Sequence, residues 1–274
     1  MGGVLFLVGT PIGNLGDLSD RARETLASVG LVAAEDTRRT GRLLRRLDIR
    51  KPLVSMFEGN EDERAAELLG RLDAGDDVAV VTDGGMPSIS DPGYRVVQLA
   101  VERGIDVRVI PGPSAAIAAV VLSGLPTDRF VFEGFLPRRP GDRGRRLQAL
   151  RHDPRTIVFF ESPRRVHTLL REILTNLGDR RVAVCREMTK LHEEVLRGGA
   201  EQVLAELDER DIKGEVAVVV EGEHDPPPPD QAILLAEVQV LVAGGMRTRD
   251  AVRAVAERHG VRANELYRAA ISES

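Results

Sequence analysis

Apolar and polar positions alternate along the first half of the chain with the periods of buried strands and half-buried helices. Val4–Val8 reads as a buried strand, Thr10–Gly16 as a loop, and a helix capped by Asp17 or Ser19 follows to about Ser28. Leu31–Ala34 predicts a short strand, 39–47 a helix, Leu53–Met56 an extended segment and Glu61–Asp73 an amphipathic helix. Strand 78–82, helix 94–103, strand Val107–Ile110 and a small-residue helix Ser114–Leu122 complete a βαβ rhythm. That rhythm implies a largely parallel sheet covered by helices, an α/β fold.

Gly124-Leu125-Pro126-Thr127 reads as a domain joint. Beyond it the alternation resumes: strand Phe130–Gly134, helix 141–151, strand Thr156–Phe160, helix 163–176, strand Arg181–Arg186, helix 200–209 and strand Val216–Val220. Four consecutive prolines, Pro226–Pro229, predict a stiff, extended linker. Three short helices follow, about 231–243, 249–259 and 263–271, the last two spaced as a helix-turn-helix with Gly260 in the turn. The expected domains are therefore 1–123, 124–224, a linker at 225–230 and a helical domain at 231–274.

Composition narrows the functions available. Only 3% of the 274 residues are aromatic and there is no Trp, so stacking bases on an aromatic platform is disfavoured. A net charge of −5 argues against a chain that coats nucleic acid uniformly. The lone Cys185 rules out an internal disulfide or a cysteine-based zinc site, and its apolar neighbours predict a buried strand thiol. No His or Cys spacing supports a metal site. Val4–Val8 is too short to span a membrane and lacks a preceding basic region, and nothing else reaches membrane length. The expected location is cytoplasmic, without membrane attachment.

Candidate chemistry gathers where strands end. Val78–Gly93, VAVVTDGGMPSISDPG, runs from an apolar strand into two breaker clusters flanking Pro87–Ser90. In α/β proteins ligands sit at the carboxyl edge of the sheet, where glycines admit close backbone approach and a carboxylate such as Asp83 can fix polar groups. Loops 9–16 and 111–115 end strands at the same edge, so the three together predict one small-molecule pocket. The first loop lacks G-x-G-x-x-G spacing and no G-K-[ST] occurs, which argues against NAD and ATP. Ser114 suits a helix N-cap, either as a plain cap or with free N–H groups facing a ligand. Glu35-Asp36-Thr37-Arg38, Phe160-Glu161 and Arg186–Lys190 repeat the strand-then-breaker pattern and fit a cleft between two domains. Segment 138–155 carries seven arginines against two aspartates. It reads either as a solvated basic helix or as a phosphate-binding one through Arg138, Arg139, Arg143, Arg145 and Arg146.

LVGTPIGNLGDLSDRA (7–22), AAEDTRRTGRLL (33–44), VTDGGMPSISDPG (81–93), IPGPSAAIAAVVLSGLPTDRFVFEGFLP (110–137), TIVFFESPRR (156–165) and CREMTKLHEEVLRG (185–198) together resemble the tetrapyrrole methylase superfamily. The resemblance is closest to its bacterial branch acting on the cytidine 2′-hydroxyl of small-subunit ribosomal RNA, and the 245–274 tail resembles that branch's C-terminal helix-turn-helix. It implies two α/β domains with the cofactor cleft between them plus a small all-α tail, S-adenosylmethionine as methyl donor without a metal, and a homodimer. The implied substrate is a cytidine of the decoding region, in naked rRNA or the assembled small subunit. Cofactor contacts carry over onto Pro11, Asp83, Met86, Ser114, Ala115, Phe160 and Glu161. Gly84-Gly85-Met86-Pro87 departs from the family's usual Ala-Gly-Thr-Pro. A ribose hydroxyl is a weak nucleophile, which makes Glu35 and Asp36 the candidate bases, with Arg38 or Lys190 orienting phosphate. Two competing readings share the fold: a tetrapyrrole C-methyltransferase, and a non-catalytic RNA- or ribosome-binding protein.

Overall fold

The computed structural model describes residues 2–208, 210, 212–223 and 231–272; the expected linker at 225–230 lies outside the described residues. Strands β1 (Leu5–Val8), β2 (Leu31–Ala34), β3 (Leu53–Ser55), β4 (Val78–Val81) and β5 (Val107–Ile110) form a wholly parallel sheet in the order β3-β2-β4-β1-β5. β2 and β4 are buried at every position, as central strands covered on both faces must be. The period-2 pleat sends Leu31, Val78 and Val80 to one face, against Leu68, Leu69 and Leu72 of α3 (Glu61–Asp73) and Val96 of α4 (Tyr94–Glu102). It sends Val32, Ala79 and Val81 to the other, against Leu26 of α1 (Asp20–Ser28) and Leu44 of α2 (Thr37–Arg46).

The second sheet departs from the expected parallel arrangement. β6 (Phe130–Phe135), β7 (Thr156–Glu161), β8 (Arg181–Arg186), β9 (Glu194–Gly199) and β10 (Val216–Val220) lie in the order β6-β7-β10-β8-β9. Only β6 and β7 run parallel; the other three pairings are antiparallel. The sequence pattern missed β9 because this edge strand, EVLRGG, carries two charges and two glycines and offers no apolar run. One face of the sheet is covered by α6 (Pro140–Ala149), α7 (Val166–Leu177) and α8 (Ala200–Asp208). The other is covered by α5 (Ala115–Ser123), which follows the last strand of the first sheet yet packs Ala116, Ala119 and Val120 onto Val158, Ala183, Cys185, Ala217 and Val219. Cys185 is the buried thiol expected, its pKa pushed up to about 11 chiefly by burial.

A buried ion cluster ties α6 and α7 to β7. Arg143 Nη1 donates to Glu161 at 3.1 Å and its Nη2 reaches Glu172 at 2.6 Å, while Arg165 contacts Glu161 at 2.6 Å. The Arg143 and Glu161 side chains are 4% and 1% exposed, so each charge depends on the other for compensation. This corrects two expectations. Arg143 is not available to RNA, and the Glu161 carboxylate is held by two arginines and by the Ser162 N–H at 2.7 Å rather than facing a cofactor. The sequence pattern could not show this, because it counts charges along the chain and not their partners across it.

All of these elements lie in one compact unit made of 1–151 and 155–222. A second unit, 152–154 with 223–274, holds α9 (Gln231–Ala243), α10 (Thr248–His259) and α11 (Ala263–Ser272). Their core is Leu234, Leu235, Val238, Val252, Val255 and Leu266. Gly260 ends α10 in the left-handed region at φ 66°, the turn expected of it. Removing one partner of the buried cluster tests its role in holding the fold. Arg143→Ala should destabilise the protein by about 3–5 kcal/mol in urea unfolding, because it leaves Glu161 charged and under-compensated. A loss near zero would mean that the cluster is solvated.

Candidate functional site

Three loops leave the carboxyl edge of the parallel sheet and are sewn together by main chain. Thr10 and Gly85 exchange two backbone hydrogen bonds, both 2.9 Å, outside any named strand. Gly9 and Gly112 are in such close contact that a Cβ on Gly9 would lie 2.6 Å from the Gly112 Cα and 2.7 Å from the Met86 sulfur. No residue with a side chain fits at that crossing. The loops 9–16, 83–93 and 111–115 therefore do meet at one place, as their strand positions suggested.

Two contacts bring the second sheet to the same edge. Gly134, at φ +61° in a bulge of β6, abuts the Ser90 hydroxyl, which would be 2.8 Å from a Cβ there. Lys190 lies across Gly13, where a Cβ would come 2.5 Å from the lysine Cγ. Among the described residues, five non-glycine residues have positive φ, and four of them are on these two loops: Ser88, Ser90, Glu187 and Thr189. Backbone held in this costly region marks segments whose shape is imposed by their surroundings.

A cavity of about 340 Å³ lies beside the first loop, between it, the end of β4 and α2. Its lining combines Thr10, Pro11, Ile12 and Gly13 with Thr82 and Asp83, with Arg39, Arg42 and Arg46 of α2, and with Lys190 and Glu215. Arg39 Nη1 donates to Asp83 Oδ2 at 3.0 Å, whereas Asp83 Oδ1 is buried without a hydrogen-bond partner among the described residues. The Ser88 hydroxyl is also buried with no hydrogen-bond partner among the described residues, and the buried Thr82 hydroxyl faces the Asp91 carboxyl. Lys190 Nζ bridges Glu187 at 2.9 Å and Glu215 at 3.1 Å; these carboxylates raise its pKa against the opposing effect of burial, so it remains cationic.

An acidic patch adjoins the cavity. Glu35 Oε2 accepts the Asp83 N–H at 3.2 Å, and burial raises its pKa, with Asp83 and Asp36 adding to the shift. Asp91 is pushed up to about 7 by burial first and then by Glu35, Asp83 and Glu215. Asp36 behaves oppositely. Its carboxylate caps α2 through the Arg38 N–H at 2.8 Å and is gripped by the Arg38 guanidinium at 2.7 and 3.0 Å, which holds its pKa far below the usual range. It is therefore a cap and not a base, which removes one of the two expected candidates. The same bidentate pair occupies Arg38.

Of the residues named from the sequence, Pro11, Asp83 and Lys190 line the cavity, Glu35 supports it and Met86 packs against Gly9. Ser114 stands at the N-cap of α5 but its hydroxyl makes no cap bond, and Ala115 opens the helix. Phe160 packs edge-on to Phe132 at 4.8 Å and Phe135 at 5.8 Å, on the second sheet. In the Arg-rich segment, Arg145 pairs with Asp142, and Arg146 with Glu133 at 2.6 Å; Arg138 and Arg139 are exposed. Sequence reasoning missed Arg39, Arg42, Arg46, Thr82, Asp91 and Glu215. The i, i+3, i+7 spacing of the three arginines was the one available signal.

Residues 4–204 match the family described as Tetrapyrrole (Corrin/Porphyrin) Methylases, and the chain belongs to that family of methyltransferases. A protein named ribosomal RNA small subunit methyltransferase I from Thermotoga maritima is 49% identical over 222 residues, which is 81% of this chain and all of that one. Its namesake from Mycobacterium tuberculosis H37Rv is 45% identical over 273 residues, 98% of this chain and 95% of the relative. Among solved structures, the uroporphyrin-III-C-methyltransferase of Thermus thermophilus superposes with a TM-score of 0.58 at 21% identity, covering 80% of this chain and 94% of that one. A cobalt precorrin-4 methyltransferase does so at 0.58 and 17%, over 80% and 94%. At such identities these structures show a shared fold alone.

The acid cluster has a pH signature. Folded Asp91 keeps its proton up to about pH 7, whereas an unfolded carboxyl loses it near 3.8. Between those values the folded state binds the extra proton, so this contribution is complete below the lower value and is lost as pH rises through 7. Asp91→Asn should therefore gain Tm relative to the parent progressively from about pH 5 to pH 8. An equal offset at both ends would place the charge elsewhere.

Proposed function

We propose that this protein is an S-adenosylmethionine-dependent methyltransferase that acts in the cytoplasm on the 2′-hydroxyl of a cytidine in small-subunit ribosomal RNA, within the decoding region. The observation that carries the reading is the identity of 45–49% to proteins named for that subunit's RNA, extending over 98% of the chain in one case. The competing C-methyltransferase reading rests on fold likeness at 21% identity or below, and a non-catalytic binder would not need a cavity with a buried, unpaired carboxylate oxygen.

The cavity suits the donor chemically. Asp83 Oδ1, buried without a hydrogen-bond partner among the described residues, offers an anionic partner for an amine or a ribose hydroxyl, and the Thr82 hydroxyl lines the same cavity. Gly84, where a Cβ would sit 3.2 Å from the Pro11 carbonyl, and Gly85 at φ +91° leave backbone open to close approach. Met86, which replaces the family threonine, contributes packing against Gly9 rather than a hydroxyl. Pro11, Asp83, Met86, Ser114, Ala115 and Phe160 remain the donor contacts of this reading. When bound, S-adenosylmethionine supplies a sulfonium-activated methyl group.

The residues of the chain orient the acceptor and manage its proton. Glu35, with its raised pKa and its fixed hydrogen bond to the Asp83 N–H, is the base for the 2′-hydroxyl. Lys190, held cationic between two carboxylates, orients a phosphate through its ammonium N–H donors. Holding the two reactants in line accounts for a large share of the acceleration, up to about 7–11 kcal/mol in favourable systems. Exposed Arg138 and Arg139 add phosphate contacts, and the C-terminal helices contribute RNA affinity of their own.

A homodimer completes the reading. α5 is apolar around its whole circumference, so its outward face needs cover as well as its inward one. Val121 is 71% exposed and Ile117 50%, and Tyr94 and Val101 of α4 and Val109 of edge strand β5 are also exposed. Large apolar side chains exposed on the outward face of α5 favour a partner surface there. Val121→Arg should shift the protein from dimer to monomer in sedimentation velocity; a monomeric parent would remove the dimer from the proposal.

Methyl transfer tests the function itself. With tritiated donor, label should appear in alkali-resistant dinucleotides of rRNA from small subunits of a strain lacking the enzyme. Label in uroporphyrinogen instead would overturn the acceptor. Glu35→Gln should lower kcat by about 10²-fold or more while leaving donor affinity in calorimetry unchanged. A variant with parental turnover under saturating donor would remove Glu35 as the base.

A further inference from the structure

Charge counted along the sequence and charge free in space fall on different elements. The Arg-rich segment is largely neutralised at home, with Arg143 buried between Glu161 and Glu172, Arg145 on Asp142 and Arg146 on Glu133. On α2 the opposite holds. TRRTGRLLRR places Arg39, Arg42 and Arg46 on one stripe while Thr40 and Leu44 turn into the core. All three arginines line the cavity that holds Thr10, Thr82 and Asp83. Arg39 is anchored by Asp83 at 3.0 Å, but Arg42 and Arg46 are exposed and have no ion-pair or hydrogen-bond partner among the described residues.

We propose that the Arg42–Arg46 stripe of α2 is a phosphodiester-binding rail that grips the RNA strand next to the nucleotide entering the cavity. The proposal rests on the rRNA reading above and assigns to it residues that sequence analysis did not select. At 1.5 Å rise per residue the two guanidinium-bearing positions stand about 6 Å apart along the helix axis, on the order of one nucleotide step. Guanidinium groups bind phosphate oxygens through paired N–H donors, and such contacts fix register without reading sequence. The occupant is argued from charge. Two unpaired cations on a cavity wall stand out in a chain of net charge −5 and attract a polyanion to this mouth. Arg39, tethered to Asp83, places the inner end of the stripe beside that carboxylate, and Lys190 and Glu215 face it from the opposite wall.

The test compares the double variant Arg42→Gln with Arg46→Gln against the parent and against Arg71→Gln with Arg171→Gln. The control removes two exposed arginines outside the cavity, paired with Asp76 and Asp208, and so changes net charge equally. The readouts are KM for small-subunit rRNA, the salt dependence of RNA binding, and calorimetric affinity for S-adenosylmethionine. The rail variant should raise KM roughly tenfold or more and flatten the slope of log K against log salt by about 1.4, from about 0.7 per single-strand phosphate lost. Donor affinity and control behaviour should match the parent. An unchanged KM and slope would overturn the rail, as would a change of the same size in the control. Weakened donor binding would overturn it too, by assigning the two arginines to the donor's carboxylate. Absence of methyl transfer to rRNA by the parent would instead sink the functional reading, a result distinct from all three.

Discussion

The close approach of main chain at Gly9, Thr10, Gly85 and Gly112 is the constraint on which the site depends. Each of three strands ends in a segment that has to meet the other two, and no side chain fits between Gly9 and Gly112. With the backbone so close, the hydrogen bonds exchanged by Thr10 and Gly85 fix the height of the first loop over the sheet. That in turn sets where Pro11, Thr82 and Asp83 stand, and through Asp83 it sets the positions of Glu35 and Arg39. The opposite wall depends on the same loop, because Lys190 rests on Gly13.

Electrostatics in this site follow from burial more than from charge count. Asp36 and Glu35 are adjacent in sequence and share a strand end, yet their acidities diverge. Asp36 sits at a helix N-terminus with a guanidinium clasped to it, and is held strongly ionised. Glu35 turns into the loops, gains a single N–H partner and loses water, so its proton is harder to remove. Asp91 goes further in the same direction, since burial is joined by the repulsion of three nearby carboxylates. Environments that push neighbouring carboxyls apart in this way are the usual means of separating a base from a structural acid.

The two sheets support the cleft differently. The first is parallel and buried on both faces, which gives its carboxyl edge a rigid base. The second is mixed, and its contributions come from a bulge at Gly134 and from the loop between β8 and β9, segments that reach out of the sheet to the first loop and to Ser90. α5 links the two arrangements by leaving the first sheet and covering the second.

Much of this was legible in the sequence. Apolar runs of β-branched residues located nine of the ten strands, and glycine and proline clusters identified the loops that form the site, because backbone conformation and burial are local demands that residue types answer directly. The shared ends of strands 4–8, 78–82 and 107–110 implied that their loops meet, and they do, although residues 111–115 do not line the cavity. Partnership was not legible. Nothing local reveals that Glu161 meets Arg143 from 18 residues away, that Arg39 reaches Asp83, or that Asp91 lies close to Glu35 and Thr82. The edge strand Glu194–Gly199 was also hidden, since its pairing with β8 supplies the order that its side chains do not. Residue types along the chain set the elements, the cores and the loops that can approach closely. Which charges are neutralised and which stay free was settled on folding, because an ionisable group's state depends on neighbours and water that the chain brings together from distant positions.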